Sequence, residues 1–271
     1  MLIQCVKSLV RRLPPSTSLD LARWIARPGI RQHLNCRDYL RVCHLARKRQ
    51  LEDNRSKNLL VTVKSFANLP VMLRCGTSDA SVLLETIIGL FHLPPAGVSP
   101  KVIWDLGANI GLTAAHFAVC YPDAKVYAVE ANPDLATIAN QNTSKWRDRI
   151  QVIEAAVWSE NAELQFSVKF GDEYGGQVTS SHSGISVQGR SLNSLFPGDD
   201  IVDFVKMDIE GAERQVLQQQ TQWAARVHCI KVECHGDYSR DNCISDLEAL
   251  GFEATADDRH WNCVIGRRAR S

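Results

Sequence analysis

Residues 205–217 read VKMDIEGAERQVL, which sets Asp208, Glu210 and Glu213 within six positions, directly after an apolar run that carries Lys206. Carboxylates so spaced can ligate a divalent metal, move a proton, open a helix or simply face water. Lys206 and Asp208 are two apart, so on a strand they point to the same side. A lysine in a buried strand is costly unless paired, which predicts a Lys206–carboxylate pair with Asp208 at the strand's carboxyl end. Glu210 and Glu213 are three apart, and negative charge in a helix's first turn is favoured by its dipole, so both read as helix-start residues that can also shape an acceptor site. His235 follows in VECHG, at the end of the next apolar run, with Glu233 on the same strand face to orient it. Asp208 is the first candidate to orient or deprotonate a hydroxyl, and His235 is the second. Asp208, Glu210 and His235 also offer the oxygen and nitrogen donors that Mg²⁺ or Mn²⁺ accepts, though nothing in the spacing requires a metal.

A second set of acids lies upstream. WDLGANIGLT, residues 104–113, places Asp105 ahead of Gly107 and Gly111. Glycines there let the backbone approach backbone or ligand closely, and the helix that follows aims its free N–H groups at the same point. A dinucleotide fingerprint needs G-x-G-x-x-G, but this stretch is D-x-G-x-x-x-G with no basic residue beside it, and an acidic strand end repels phosphate. It suits a ligand with an ammonium or sulfonium charge and a carboxylate for the helix N-terminus. Glu130, 25 residues after Asp105, can accept both hydroxyls of a ribose. Glu154 and Ala155, at the end of the following strand, would flank a purine. Adenosine joined to an amino acid without phosphate is S-adenosylmethionine. Any one of these acids alone reads as a loop or capping residue; their order on successive strands supports the cofactor.

The elements that must hold these groups follow from the pattern. KVIWDL, KVYAVEA, IQVIEAAVW, DFVKMD and HCIKVEC read as buried strands, and IGLTAAHFAVCY, PDLATIANQNTSKW, GAERQVLQQ and DNCISDLEAL as helices between and after them. FEATA and HWNCVIG close the chain as a strand pair. Such alternation implies a doubly wound parallel sheet, which binds ligands outside the carboxyl ends of its strands, near the point where strand order reverses. Upstream of LPPAGVSPK (93–101), LLVTVKSFANLPVMLR suggests two strands with a turn at Ala67–Pro70. SDASVLLETIIGLF then reads as a helix capped by Ser78 or Asp79. The Gly- and Ser-rich segment 171–190 reads as a hairpin and a lid or acceptor loop.

VIWDLGANIGLTAAHFA, KVYAVEANP, DFVKMDIEGAERQVL and LRCGTSDASVLLE resemble the FkbM family of S-adenosylmethionine-dependent methyltransferases over residues 70–235, with K-x-D-x-E-G-x-E as the distinctive pattern. The resemblance implies an α/β class I methyltransferase fold: Rossmann-like, doubly wound and mostly parallel, usually with seven strands, here behind a helical N-terminal extension. It implies O-methylation of a hydroxyl on a sugar or natural-product scaffold. Asp105, Gly107, Asn109, Gly111 and Glu130 would then lie at the cofactor, joined by Asn132 in the turn after Glu130. Arg74, Ser78 and Asp79 of RCGTSD would close over the cofactor's amino-acid end or meet the acceptor. Ala131 stands where the family commonly has Pro in E-P-N-P, a change expected to alter the turn more than the binding.

Composition bounds the rest. With 271 residues, 45% of them hydrophobic, and a net charge of +1, the chain reads as an ordinary globular one with no global case for nucleic acid. Charge is unevenly spread: residues 1–58 carry +9 and residues 59–271 carry −8. This divides the chain into a basic helical extension (1–58) and a cofactor-binding domain (59–271). RDYLRVCHLARKRQLED has the spacing of a basic amphipathic helix, which would either touch a membrane surface peripherally or dock on its own domain. Nine cysteines at irregular spacings with no C-x-x-C predict free thiols in a reducing, cytoplasmic setting. MLIQCVKSLV is too short to span a bilayer and lacks a signal peptide's features. The expected partner is a small-molecule or saccharide acceptor. The competing expectations are a catalytically inert S-adenosylmethionine-binding module organising a glycan-synthesis complex, and a nicotinamide dehydrogenase, which Asp105 argues against.

Overall fold

The computed structural model describes residues 14–47, 57–167, 177–179, 185–196, 198 and 200–268. Contacts group the chain into two units, Met1–Gly89 and Leu90–Ser271. The apolar start of the chain and part of the basic run lie outside the described residues.

In the first unit, α1 (Pro15–Ala26), α2 (Pro28–His33) and α3 (Cys36–Arg47) precede a hairpin of β1 (Asn58–Val63) and β2 (Leu69–Arg74), then α4 (Asp79–Leu84). The apolar face of α3 (Tyr39, Val42, Cys43 and Leu45) is buried, and α3 packs on α1 and α4. Its basic residues find acids within the same unit, Arg47 on buried Asp20 at 2.6 Å and Arg41 on Asp38 at 3.0 Å. The hairpin turns through Lys64–Asn68, where Ala67 and Asn68 adopt positive φ.

The second unit alternates strand and helix: β3 (Val102–Leu106), α5 (Leu112–Cys120), β4 (Lys125–Glu130), α6 (Pro133–Asn142) and β5 (Ile150–Glu154). It continues through β6 (Ala156–Val157), β7 (Ala162–Ser167), β8 (Gln177–Thr179), β9 (Ile185–Arg190), α7 (Leu192–Leu195), β10 (Phe204–Met207) and α8 (Glu213–Gln218). Last come β11 (Cys229–Glu233), α9 (Arg240–Ala249), β12 (Glu253–Ala256) and β13 (Cys263–Arg267). The main sheet has seven strands in the order β12-β13-β11-β10-β3-β4-β5. Only β13 runs against its neighbours there. This is the expected doubly wound α/β sheet. Because β4 and β5 extend to one side of β3 while β10 and β11 lie on the other, strand order reverses between β3 and β10.

Burial explains that sheet's composition. All four residues of β10 are buried, Lys206 among them. The fully buried alanines of α5, Ala114 and Ala115, give the helix a smooth face over the sheet. Trp104 of β3 stacks on Tyr127 of β4 with ring centres 4.6 Å apart. IQVIEAAVW does not remain one strand. β5 ends at Glu154, Ala155 donates its N–H to the Glu130 carbonyl, and β6 leaves to pair with β9 in a second sheet ordered β6-β9-β7-β8. Among the described residues no helix is long and apolar enough to cross a membrane, and the eight described cysteines are free thiols.

Candidate active site

β3 and β10 are parallel neighbours with Lys206 paired in register to Asp105. The Lys206 ammonium lies 3.3 Å from Asp105 Oδ1 and 3.1 Å from Asp208 Oδ2, and it donates to the Gly107 carbonyl at 3.0 Å. Burial alone would lower the lysine's pKa, but Asp208 and Asp105 outweigh it and hold the group above its ordinary value. Burial raises the Asp105 carboxyl against the opposing pull of Lys206 and of the Thr113 hydroxyl, which donates to Asp105 Oδ2. The strand-face reading of Lys206 and Asp208 is thus met, with a third partner, Asp105, that spacing did not reveal.

Gly107 and Gly111 both have positive φ, 80° and 81°. A Cβ on Gly107 would overlap the carbonyl oxygen of Asp208, and one on Gly111 would sit 3.0 Å from the Cα of Ala139. These glycines therefore permit close approach of backbone to backbone across the β3–β10 boundary and onto α6. Asn109 takes φ 49° in the same turn, a conformation uncommon without glycine, and its Oδ1 is buried without a hydrogen-bond partner. Glu130, at the end of β4, accepts the N–H of Asn109 at 2.8 Å and that of Asn132 at 2.9 Å. Asn132 caps α6 by accepting the Asp134 N–H. Glu154 is exposed and in register with Glu130, and Ala155 is buried. This edge therefore presents carboxylates, an amide and backbone N–H groups.

The turn after β10 departs from the sequence reading. Glu210 precedes the helix at φ 54°, followed by Gly211 at φ 109°, and α8 starts only at Glu213. Glu213 does begin the helix as expected, whereas Glu210 lies before it, and Glu213 is enclosed where a helix-start acid commonly faces water. It is fully buried, accepts the N–H of Ile209 at 3.2 Å and of Gly211 at 2.9 Å, and pairs with His235 Nδ1 at 2.8 Å. The residue that orients His235 is therefore Glu213, where the sequence suggested Glu233. With Nδ1 fixed, Nε2 faces Glu210 Oε2 at 3.5 Å, Asp208 Oδ1 at 3.6 Å and Glu233 Oε1 at 4.0 Å.

This crowding shifts several pKa values. Burial alone would lower His235, but the hydrogen bond and charge of Glu213, with Asp208 and Glu210, raise it to about 9. Burial and the Asp208 charge push Glu210 up to about 7 against the opposing effect of His235. Glu233 is raised to about 7 by burial and Asp208. The acids around His235 thus favour its protonated form, and burial with the Asp208 charge favours the neutral form of Glu210.

Beside this corner a cavity of about 350 Å³ is lined by Trp158, Glu210, Arg214, Gln215, His235 and Tyr238, among others. Of these, Arg214 adjoins the acidic motif in sequence, whereas Trp158 and Tyr238 come from other segments and carried no sequence signal. Arg74, Ser78 and Asp79 belong to the first unit. There Asp79 is fully buried and accepts from Arg74 through N, Nε and Nη2 at 2.7–3.0 Å, and Ser78 precedes α4 without a side-chain cap bond. Two groups of described residues bring ligand atoms within 4.8 Å of one another, Asp208 with Glu210 and His235, and Glu233 with His260 and Cys263.

Residues 105–259, more than half the chain, match the family model for the methyltransferase FkbM domain. The chain belongs to the FkbM methyltransferase family. It is 27% identical over 177 residues to the hexuronic acid methyltransferase AglP of Haloferax volcanii, covering 62% of this chain and 70% of that protein. It is 26% identical over 136 residues to the 2-O-methyltransferase NoeI of Sinorhizobium fredii, covering 43% of this chain and 56% of that one. Among solved structures, the precorrin-6y C5,15-methyltransferase of Geobacter metallireducens aligns with TM-score 0.43 at 13% identity, over 71% of this chain and 90% of that one. The FkbM chain described here is an S-adenosylmethionine-dependent methyltransferase, and its own strand order gives the α/β fold.

Proposed function

We propose that the chain methylates a hydroxyl of a saccharide or glycosylated metabolite, with the cofactor along the carboxyl ends of β3, β4 and β5 and the acceptor at those of β10 and β11. Asp105, Gly107, Asn109, Gly111, Glu130, Asn132, Glu154 and Ala155 would hold the cofactor. The donor set supports this: Glu130 suits ribose hydroxyls, buried Asn109 Oδ1 has an unfilled hydrogen-bonding site, and the acids outnumber the cations Lys206, His235 and Arg214. An acidic cleft attracts a sulfonium and repels a pyrophosphate. When bound, S-adenosylmethionine supplies an electrophilic methyl group. The names of the two relatives, one for a hexuronic acid and one for a 2-O-position, support oxygen on a sugar as the acceptor.

The observation that carries the reading is the corner at the strand-order reversal, where Lys206 fixes Asp208 and Glu213 fixes His235 beside a cavity lined by Glu210. Asp208, held by Lys206, orients the acceptor hydroxyl. Glu210 has the proton affinity to take its proton near neutrality, an effect of about 10²–10⁴-fold on top of positioning. The His235 imidazolium, bonded through Nδ1 to Glu213, sets its charge 3.6 Å from Asp208 and 3.5 Å from Glu210 and offsets their mutual repulsion. Asp208→Asn tests this: loss of S-adenosylhomocysteine release with retained cofactor binding is expected. An unmodified chain that binds cofactor but turns over no saccharide would favour the inert module.

A metal-assisted form of the same reaction is a second reading, favoured by the convergence of Asp208, Glu210 and His235 within 4.8 Å. Oxygen and nitrogen donors of this kind suit Mg²⁺ or Mn²⁺. Dependence of turnover on added Mn²⁺ after chelation decides between the two.

A further inference from the structure

Given a saccharide acceptor, as proposed above, the cavity beside Glu210 and His235 has features that select which saccharide. Its volume of about 350 Å³ is at the small end for ligand pockets, enough for one sugar residue. Half-buried Trp158 lines the cavity and brings aromatic surface, which suits the C–H side of a pyranose ring. The guanidinium carbon of Arg214 sits 5.4 Å from the centre of the Tyr238 ring. Tyr238 is itself buried, and its hydroxyl donates to Asp246 at 2.7 Å, so the platform under Arg214 is tied down from behind.

Arg214 has a carboxylate partner of little strength. Its Nη2 lies 3.5 Å from Asp237 Oδ2, and the Asp237 side chain is 90% exposed. An ion pair this wet is worth little and yields readily to a better-placed anion. A planar guanidinium already oriented on a ring loses little entropy when a carboxylate takes its fork in bidentate fashion. The rest of the cavity imposes direction. Glu210 lines it, and Asp208 and Glu233 lie within 4.0 Å of the same His235 nitrogen, so a carboxylate is repelled from the reacting corner while hydroxyls are accepted there.

We infer that the acceptor is a carboxylate-bearing pyranose of the uronic-acid type, its carboxylate on Arg214 in place of Asp237, its ring face on Trp158 and a ring hydroxyl toward Glu210 and Asp208. Arg214 is then the specificity-determining residue, and it separates uronic acids from their neutral counterparts.

The test compares kcat/KM for a methyl glucuronide and the matching methyl glucoside in the full chain, by S-adenosylhomocysteine release. Unmodified protein should favour the glucuronide by about 10- to 100-fold, the value of a charge-assisted bidentate contact. Arg214→Gln should bring that ratio to about one, and Arg214→Lys, which keeps the charge and loses the fork, should fall between. Trp158→Ala should raise KM for both sugars and leave the ratio where it was. Calorimetric binding of S-adenosylhomocysteine to each variant confirms that it is folded. A ratio near one in unmodified protein, or one that Arg214→Gln does not move, overturns the assignment of Arg214 while leaving sugar methylation standing. Methylation of neither sugar by a chain that still binds S-adenosylhomocysteine overturns the saccharide reading, and the assignment with it.

Discussion

Glu213→Gln isolates the contact on which the acceptor corner depends. Glu213 is fully buried and its Oε1 lies 2.8 Å from His235 Nδ1, so salt screens the pair only slightly. A charge-assisted hydrogen bond contributes about 1.5–3 kcal/mol and one pKa unit is about 1.4 kcal/mol, so removing the charge should lower His235 by about one to two units. His235 would then fall from about 9 toward its ordinary range. The sign of the linked stability follows: a pKa raised from 6.5 to about 9 contributes stability in full below pH 6.5 and loses it as pH rises through about 9. The unfolding free energy of the variant should therefore trail that of the unmodified protein most below pH 6.5, by about 2 kcal/mol, and the difference should narrow above pH 9. NMR titration of the His235 ring reads the pKa directly, and urea unfolding at several pH values reads the linkage. In kcat/KM for the methyl donor, an acid limb near 7 from Glu210 should persist while the alkaline limb moves down from about 9. A His235 pKa that stays near 9 in the variant would refute the reasoning, because the other carboxylates would then be sufficient to hold the proton.

Three further outcomes follow from the same contacts. Gly107→Ala, with φ 80° and a Cβ overlapping the Asp208 carbonyl, should lose about 3 kcal/mol or more, and Gly111→Ala, whose nearest contact is at 3.0 Å, should lose less in thermal melts. Lys206→Met leaves Asp105 and Asp208 uncompensated and should lose about 3–5 kcal/mol in urea, part of it regained when Asp105→Asn is added. Turnover should survive EDTA and gain nothing from Mn²⁺ if protons alone are moved at the corner; loss on chelation with recovery in Mn²⁺ would install the metal-assisted form on Asp208, Glu210 and His235.

The parts of the site carried by strand periodicity were legible in the sequence. Lys206 and Asp208 share a face because side chains alternate, and the acids at 105 and 130 fall at strand ends because the apolar runs stop there. Four features were not legible. Positive φ at Glu210 delays the start of α8 to Glu213, and no local preference marks Glu210 for that conformation. The pairing of Glu213 with His235 spans 22 residues and depends on β10 and β11 being neighbours. The break at Ala155 has no Gly or Pro to announce it; it arises because the backbone turns to bond the Glu130 carbonyl before entering a second sheet. The wall of Trp158, Arg214 and Tyr238 is likewise assembled by three separate segments.

Calorimetry with S-adenosylhomocysteine and NAD on the unmodified chain and on Glu130→Ala tests the central claim most directly, that the acidic strand ends form an adenosyl-cofactor cleft. The cleft predicts one S-adenosylhomocysteine site per chain, no NAD binding, and an affinity lower by about 10-fold or more once the Glu130 carboxylate is gone. Tight NAD binding without S-adenosylhomocysteine binding, or an affinity that Glu130→Ala leaves intact, would contradict it.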